Sequence, residues 1–291
     1  MWKSAGLLPV AVLAVLALPG CAELLQQSVE YDATEQVKIT EIRVTGGSGD
    51  VVVRSGDPSR VDIHRTLRYR GDVAPDEQTY RLEGTVLTIR TECELAIRCG
   101  ASYAIRAPEG VRISGQNGSG NLRVAGVSTV DFEVGSGDLT VRNATGDVRI
   151  STGSGNVELI DVQGNVRVHT SSGDVEALDL RSRQIAVDTG SGNMRMELAD
   201  PANVRAETGS GDVRLAVPSG TYRIETDTNS GDTEIRIPNH PQGTYLLDLR
   251  TGSGNIVVNP RRPAAVPVPP GAPGTPGAPV PPSAPVPPSP S

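Results

Sequence analysis

The chain has 291 residues, with 27 Lys and Arg against 34 Asp and Glu, a formal net charge of −7, and 33 glycines and 23 prolines. An acidic chain without a basic stripe of interleaved aromatics repels phosphate backbones, so the composition argues against nucleic acid as a partner. Aromatic residues make up 3% of the chain, which leaves any core to aliphatic side chains and argues against a ring-lined sugar surface.

Met1 to Ser4 carry one positive charge, Lys3, and Ala5 to Leu18 are mostly Ala, Val and Leu. Such a run falls short of the roughly 20 residues of a spanning helix and ends at Pro19 and Gly20 instead of stop-transfer charges, so it reads as an export signal. Leu18, Pro19, Gly20 and Cys21 then resemble the bacterial lipobox, in which a cysteine takes diacylglycerol and becomes the mature N-terminus; Pro19 departs from the small residue usual at its place. That resemblance implies a lipoprotein signal peptide over residues 1–20, lipidation of Cys21, and a membrane as partner through the lipid. A plain secretory leader with an incidental cysteine is the other reading. Loss of the leader removes Lys3 and leaves 26 positive against 34 negative charges, a net −8. Residues 21–36 read as a polar tether between the lipid and the first strand.

Two cysteines remain, Cys93 and Cys99, close enough in sequence to close a small loop in an oxidising compartment, and a disulfide is expected. A zinc site is poorly supported, because it wants four ligands and His64, His169 and His240 lie far from that loop in sequence. Around the loop, the segments 60–68, 79–82, 86–90 and 103–105 alternate apolar and polar residues at irregular spacing. They suit the atypical end of a repeat array, which the loop would fasten.

From Ser119 onward a Gly-Ser-Gly turn followed by Asp or Asn keeps returning. Its second glycine falls at Gly120, Gly137, Gly155, Gly173, Gly192, Gly211, Gly231 and Gly254, and secondary turns such as Thr145–Asp147 lie between. On either side of each turn apolar residues alternate with charged ones, Val166 and Val168 about Arg167 for example, so one face is buried and one is wet. Residues in register at every period mean coils that stack like on like. The fold class expected is all-β, a parallel β-solenoid with two strands and two Gly-rich turns per coil of about 18 to 20 residues. The solenoid is expected over residues 37–259, with Ile42, Val44, Val51 and Val53 forming an outlying coil around Gly49 and Asp50.

Corner chemistry explains the turn residues. Glycine tolerates positive φ, and Asp alternating with Asn keeps most stacked carboxylates two coils apart. In sequence order Asp212 and Asp232 break that alternation. Thr152, Thr170, Thr189, Thr208, Thr228 and Thr251 are expected to form a hydroxyl ladder. A calcium reading fits poorly, because the acid follows the glycine directly and is Asn in about half the coils. Residues 260–291, rich in Pro, Ala, Gly, Val and Ser, cannot build a core and read as a disordered or polyproline tail.

Together, the Gly46–Asp50 turn, the Cys93 and Cys99 loop followed by Tyr103–Pro108, and the repeated Gly-Ser-Gly-Asp/Asn turns resemble the bacterial putative-adhesin β-strand-repeat family, a domain of unknown function. The resemblance spans Val37 to Asn259 and implies a β-solenoid whose role is adhesion, with some members accompanying envelope-stress signalling systems. Three readings of function follow. The first is a non-enzymatic, lipid-anchored envelope protein that offers a β surface to an envelope protein or polymer. The second is an accessory or sensory lipoprotein in an envelope-stress circuit, and the third a β-helix polysaccharide lyase or hydrolase using Asp131, Arg149 and Arg167. No nucleophile motif, metal set or cofactor loop supports the last, and no cofactor is expected.

Overall fold

The computed structural model describes residues 26–70, 75, 78–93 and 99–261. The leader, Cys21 and the Pro-rich segment beyond residue 261 lie outside the described residues. In chain order the strands are β1 (Gln27–Glu35), β2 (Glu41–Gly47), β3 (Val51–Ser55), β4 (Val61–Tyr69), β5 (Tyr80–Glu83), β6 (Val86–Thr91) and β7 (Gly100–Ala107). There follow β8 (Val111–Ser119), the long β9 (Leu122–Ser136), β10 (Leu139–Ala144), β11 (Val148–Ser154), β12 (Val157–Val162), β13 (Val166–Ser172), β14 (Val175–Leu180) and β15 (Gln184–Ser191). The last are β16 (Met194–Leu198), β17 (Asn203–Ser210), β18 (Val213–Val217), β19 (Tyr222–Ser230), β20 (Thr233–Ile235), β21 (Tyr245–Ser253) and β22 (Ile256–Pro260).

These strands form a parallel β-solenoid in which each coil contributes one strand to each of two faces. The first face stacks β6, β2, β8, the end of β9, β11, β13, β15, β17, β21 and β19. The second stacks β7, β3, the start of β9, β10, β12, β14, β16, β18, β22 and β20. Inward residues form ladders of like on like: Val168 lies between Ile150 and Val187 and is buried, as the alternation around Arg167 requires.

Stacking order departs from sequence order at both ends. The last coil, β21 and β22, inserts between β17/β18 and β19/β20. The first coil, β2 and β3, lies between β6/β7 and β8/β9, so it is interior and not the outlying coil that sequence order suggests. Burial explains the C-terminal swap. The inserted coil brings Leu247, Leu249, Ile256 and Val258, all fully buried, whereas the terminal coil has Thr226 and Thr228 on its inward positions and an exposed Ile235. Each aliphatic side chain kept from water is worth about 1.5–3 kcal/mol, so the more apolar coil belongs inside.

Antiparallel strands finish the N-terminal end. β4 pairs with β7, β1 pairs with β4, and β5 pairs with β6. Residues 27–35, expected as part of a polar tether, are therefore an edge strand; their alternation of half-buried Val29, Tyr31 and Ala33 with Glu30, Asp32 and Thr34 is the two-residue period of a strand. The other boundary moves as well, since β22 runs to Pro260 and Arg261 is tied down beyond it. Its N–H donates to the Val217 carbonyl, and its side chain reaches Glu197 at 2.8 Å and also Asp179.

Swapping the last coils repairs the corner that sequence order leaves in conflict. The stacked row reads Asp50, Asn121, Asp138, Asn156, Asp174, Asn193, Asp212, Asn255, Asp232, with strict alternation. In each step the side-chain oxygen of one residue accepts the N–H of the next, at 2.7–3.0 Å. Asp212 and Asp232 are thus separated by Asn255 and do not meet. The carboxylates serve as backbone acceptors here, which accounts for their position without a cation.

Glycine is needed beside that row. Gly192, at φ 150°, and Gly211, at φ 143°, are typical, and a Cβ on either would lie about 2 Å from the carbonyl oxygen of the preceding corner glycine. The threonines beside the corner stack in register, but their hydroxyls do not bond to one another. Thr208 donates to the Gly192 carbonyl at 3.2 Å and Thr251 to that of Gly211 at 2.9 Å, satisfying part-buried acceptors.

A candidate interface on the first outer face

The outward positions of the first face fall into columns because successive strands stay in register. One column carries Thr129, Asp147, Asn165, Gln184 and Asn203 beside the edge of the face. The next carries Asp131, Arg149, Arg167, Ala186, Arg205 and Asp248. A third carries Glu133, Ser151, His169, Asp188, Glu207 and Arg250. Strands present alternate residues outward, so neighbouring columns are two residues apart and rows repeat at the strand spacing of about 4.8 Å.

A groove of about 750 Å³ runs across the coils along the first two columns, from Arg112 and Asp131 at one end to Asp248 at the other. Its polar character comes from guanidinium groups, side-chain amides and the carboxylates of Asp131, Asp147 and Asp248. At Ala186 the basic column loses its long side chain, and a shallow pit of about 240 Å³ opens between Arg167 and Arg205. His169 and Asp188, 3.0 Å apart, stand on the rim of the pit.

Charges along the groove are unevenly paired. Arg149 lies 3.7 Å from Asp131, and Arg205 bonds Glu207 at 3.1 Å, but both pairs are exposed and such pairs contribute about 0–1 kcal/mol. Arg167 makes no ion pair among the described residues. Asp248 is more buried and grips Arg250 at 2.8 Å, a bond that raises the Arg250 pKa further. The ion pairs along these columns therefore add little to stability.

The structure does bring Asp131, Arg149 and Arg167 together on adjacent strands β9, β11 and β13. It sets them in one straight column on an open face, not around a point. A reacting atom needs groups converging on it from different directions. Burial pushes the Tyr103 and Tyr222 hydroxyls up to about 12, and a side-chain hydrogen bond from Ser114 lowers Glu41.

Sequence reading missed the far end of the groove. Asp248 and Arg250 follow Arg205 and Glu207 only because β21 sits against β17; sequence order would have put Glu225 and Asp227 there. The signal was present in the clash between Asp212 and Asp232, which only an inserted Asn-bearing coil relieves.

Of the expected modification sites, Cys93 and Cys99 are joined by a disulfide with Cα atoms 5.4 Å apart. Cys21 lies outside the described residues. Cys93 packs half-buried against the core, so the bridge fastens the end of β6 to the start of β7.

Residues 39–263 match the family model described as Toastrack DUF4097. Among solved structures, a putative adhesin from Bacteroides fragilis is 12% identical, with 79% of this chain and 97% of that one covered and a TM-score of 0.41. A putative cell adhesion protein from Clostridium sporogenes is 10% identical, with coverage of 80% and 100% and a TM-score of 0.25. No curated protein matches the chain.

Proposed function

The chain belongs to the Toastrack DUF4097 family, and from that premise we propose that it is a non-enzymatic cell-envelope protein. It is held at the membrane by lipid on Cys21 and offers the grooved first face to an envelope polymer or protein. The observation that carries this reading is the groove itself: a continuous channel across several coils whose lining repeats with the coils. Chemistry repeated at a fixed interval suits a long or flat partner that makes the same contact many times. The disulfide supports an extracytoplasmic location, since such bonds persist in oxidising compartments.

The test uses intact cells and the full chain. Changing Cys21→Ser is expected to release the protein from the membrane fraction. Chemical crosslinking of the wild type should trap a polymer or protein that is lost in an Arg149→Glu, Arg167→Glu double variant and kept in Arg195→Glu on the opposite face. Sustained release of product from peptidoglycan or a polysaccharide, abolished by Asp131→Ala or Arg149→Ala, would overturn the proposal in favour of a lyase or hydrolase.

A further inference from the structure

The second face carries a different feature near its N-terminal end. There Asp32, His64, Ala104, Val52 and Arg123 share one outward column across β1, β4, β7, β3 and β9. Thr34, Asp62, Arg106 and Arg54 form the column beside it. Ala104 and Val52 are short, and above them a notch of about 490 Å³ opens, rimmed by Arg54, Arg106 and His64 together with Asp32 and Asp62.

Arg54 and Arg106 are direct register partners, so two exposed guanidinium groups project side by side from strands about 4.8 Å apart. Arg123 follows Val52 in the same column, beyond the residues that line the notch. Like charges directly opposite one another destabilise a sheet, and further along this face arginines are compensated by acids. Arg142 bonds Glu158 at 2.7 Å and Arg195 bonds Glu176 at 3.1 Å on the same face.

The two acids that line the notch, Asp32 and Asp62, are already engaged by other partners. Asp62 faces Arg106 in register, but its carboxylate takes the Thr34 hydroxyl at 2.9 Å and Arg60 at 3.3 Å. Asp32 is engaged by His64 at 2.8 Å. Among the described residues Arg54, Arg106 and Arg123 make no ion pair, in a chain of net negative charge.

We propose that this notch is an anion site that takes a phosphate group, gripped by the Arg54 and Arg106 guanidinium forks with His64 on its rim. A carboxylate presents only two oxygens, both in one plane. A phosphate offers three or more acceptor oxygens in different directions and up to two negative charges, which matches separate guanidinium groups from two adjacent strands. The site is independent of the groove on the first face and does not rest on the function proposed for it. A soluble phosphate ester and a phospholipid headgroup share the recognised chemistry, and β1, which contributes Asp32 and Thr34, follows Cys21 by only a few residues.

Two probes separate these sources: inorganic phosphate titrated into the full chain and followed by phosphorus NMR, and sedimentation with phosphatidylglycerol against phosphatidylcholine vesicles. Saturable binding of inorganic phosphate supports a soluble ligand. Extra binding to phosphatidylglycerol alone supports a headgroup. In either case Arg54→Gln and Arg106→Gln are each expected to weaken binding about tenfold or more, as loss of a charged hydrogen bond implies, while Arg142→Gln leaves it unchanged. Both variants should fold, and the ligand-free protein should melt no lower, because each change removes a repulsion and no bond. Binding that survives both variants, acetate competing as well as phosphate, or no saturable binding of either probe would overturn the proposal.

Discussion

The two ends of the solenoid face the same physical problem and solve it differently. Each exposes the edge of a parallel stack, whose unpaired N–H and C=O groups would template another chain. At the N-terminal end the chain reverses direction: β4 and β1 add antiparallel strands to one face, β5 to the other, and the disulfide fastens the coil beneath. Under them Tyr103 donates to the Thr79 carbonyl at 2.7 Å, and the buried Arg65 guanidinium lies 4.4 Å from the Tyr31 ring centroid. At the C-terminal end the coil itself is made poor and polar. β20 has three residues, all exposed, flanked by Asp232 and Arg236. Asn239 folds back so that its side-chain oxygen accepts the Ile224 N–H and its amide donates to the Ile224 carbonyl, imitating one residue of a further strand. One end is sealed by added structure, the other by a coil that has little to lose from water.

The largest effect expected from this contrast lies in the coils next to the C-terminal end. Leu249→Ala in the inserted β21 should cost about 2–5 kcal/mol, whereas Ile235→Ala in the exposed β20 should cost less than about 0.5 kcal/mol. Chemical denaturation of the two variants checks this, and similar losses would mean that β19/β20 is not the terminal coil. At the other end, replacing both Cys93 and Cys99 by Ser should cost about 2 kcal/mol, the chain-entropy value for so short a loop. The melting temperature under reducing and oxidising conditions measures it, and no change would show that the antiparallel strands hold that end without the bridge.

A smaller effect reads the corner row. Asn255→Asp would set three carboxylates in succession, Asp212, the new acid and Asp232, for a cost of about 1 kcal/mol at neutral pH. The penalty should fade once the pH drops into the carboxylate range. Asp212 itself is held below its ordinary value, chiefly by accepting the Asn255 N–H. A carboxylate with a lowered folded pKa contributes stability above its unfolded value of about 3.9 and loses it as the pH falls through the folded value. Asp212→Asn is therefore expected to flatten the acid limb of the melting curve below about pH 4, and an unchanged limb would show that the bond to Asn255 does not matter.

Most of the architecture was legible because a two-residue period and a recurring glycine corner admit few arrangements. Val168 and Arg167 illustrate it: alternation placed one inside and the other outside, and the register agrees. The order of coils was harder, because like-on-like stacking scores β19 and β21 almost equally as neighbours of β17. The discriminating information sat in a few residues, the Asp212, Asp232 and Asn255 set and the threonines at 226 and 228, against a background of near-identical repeats. The N-terminal strands escaped for another reason. Gln27–Glu35 carries only three partly buried apolar residues, too weak a pattern to distinguish an edge strand from a tether without its partner β4. The groove inherits both facts, since its basic column could be read from Arg149, Arg167 and Arg205 while its end at Asp248 depended on the coil order.

Everything inferred about the outer faces rests on stacked order, and paired cysteines test that order directly. Ser210, Ser253 and Ser230 are exposed and occupy equivalent places on β17, β21 and β19. Adjacent strands put Cα atoms about 4.8 Å apart, within the range of a disulfide, and strands two coils apart exceed it. After mild oxidation and non-reducing peptide mapping, the Ser210→Cys, Ser253→Cys pair and the Ser253→Cys, Ser230→Cys pair should each bridge, while Ser210→Cys with Ser230→Cys stays open. A bridge between positions 210 and 230, with none between 210 and 253, would contradict the inserted coil and with it the columns of the first face.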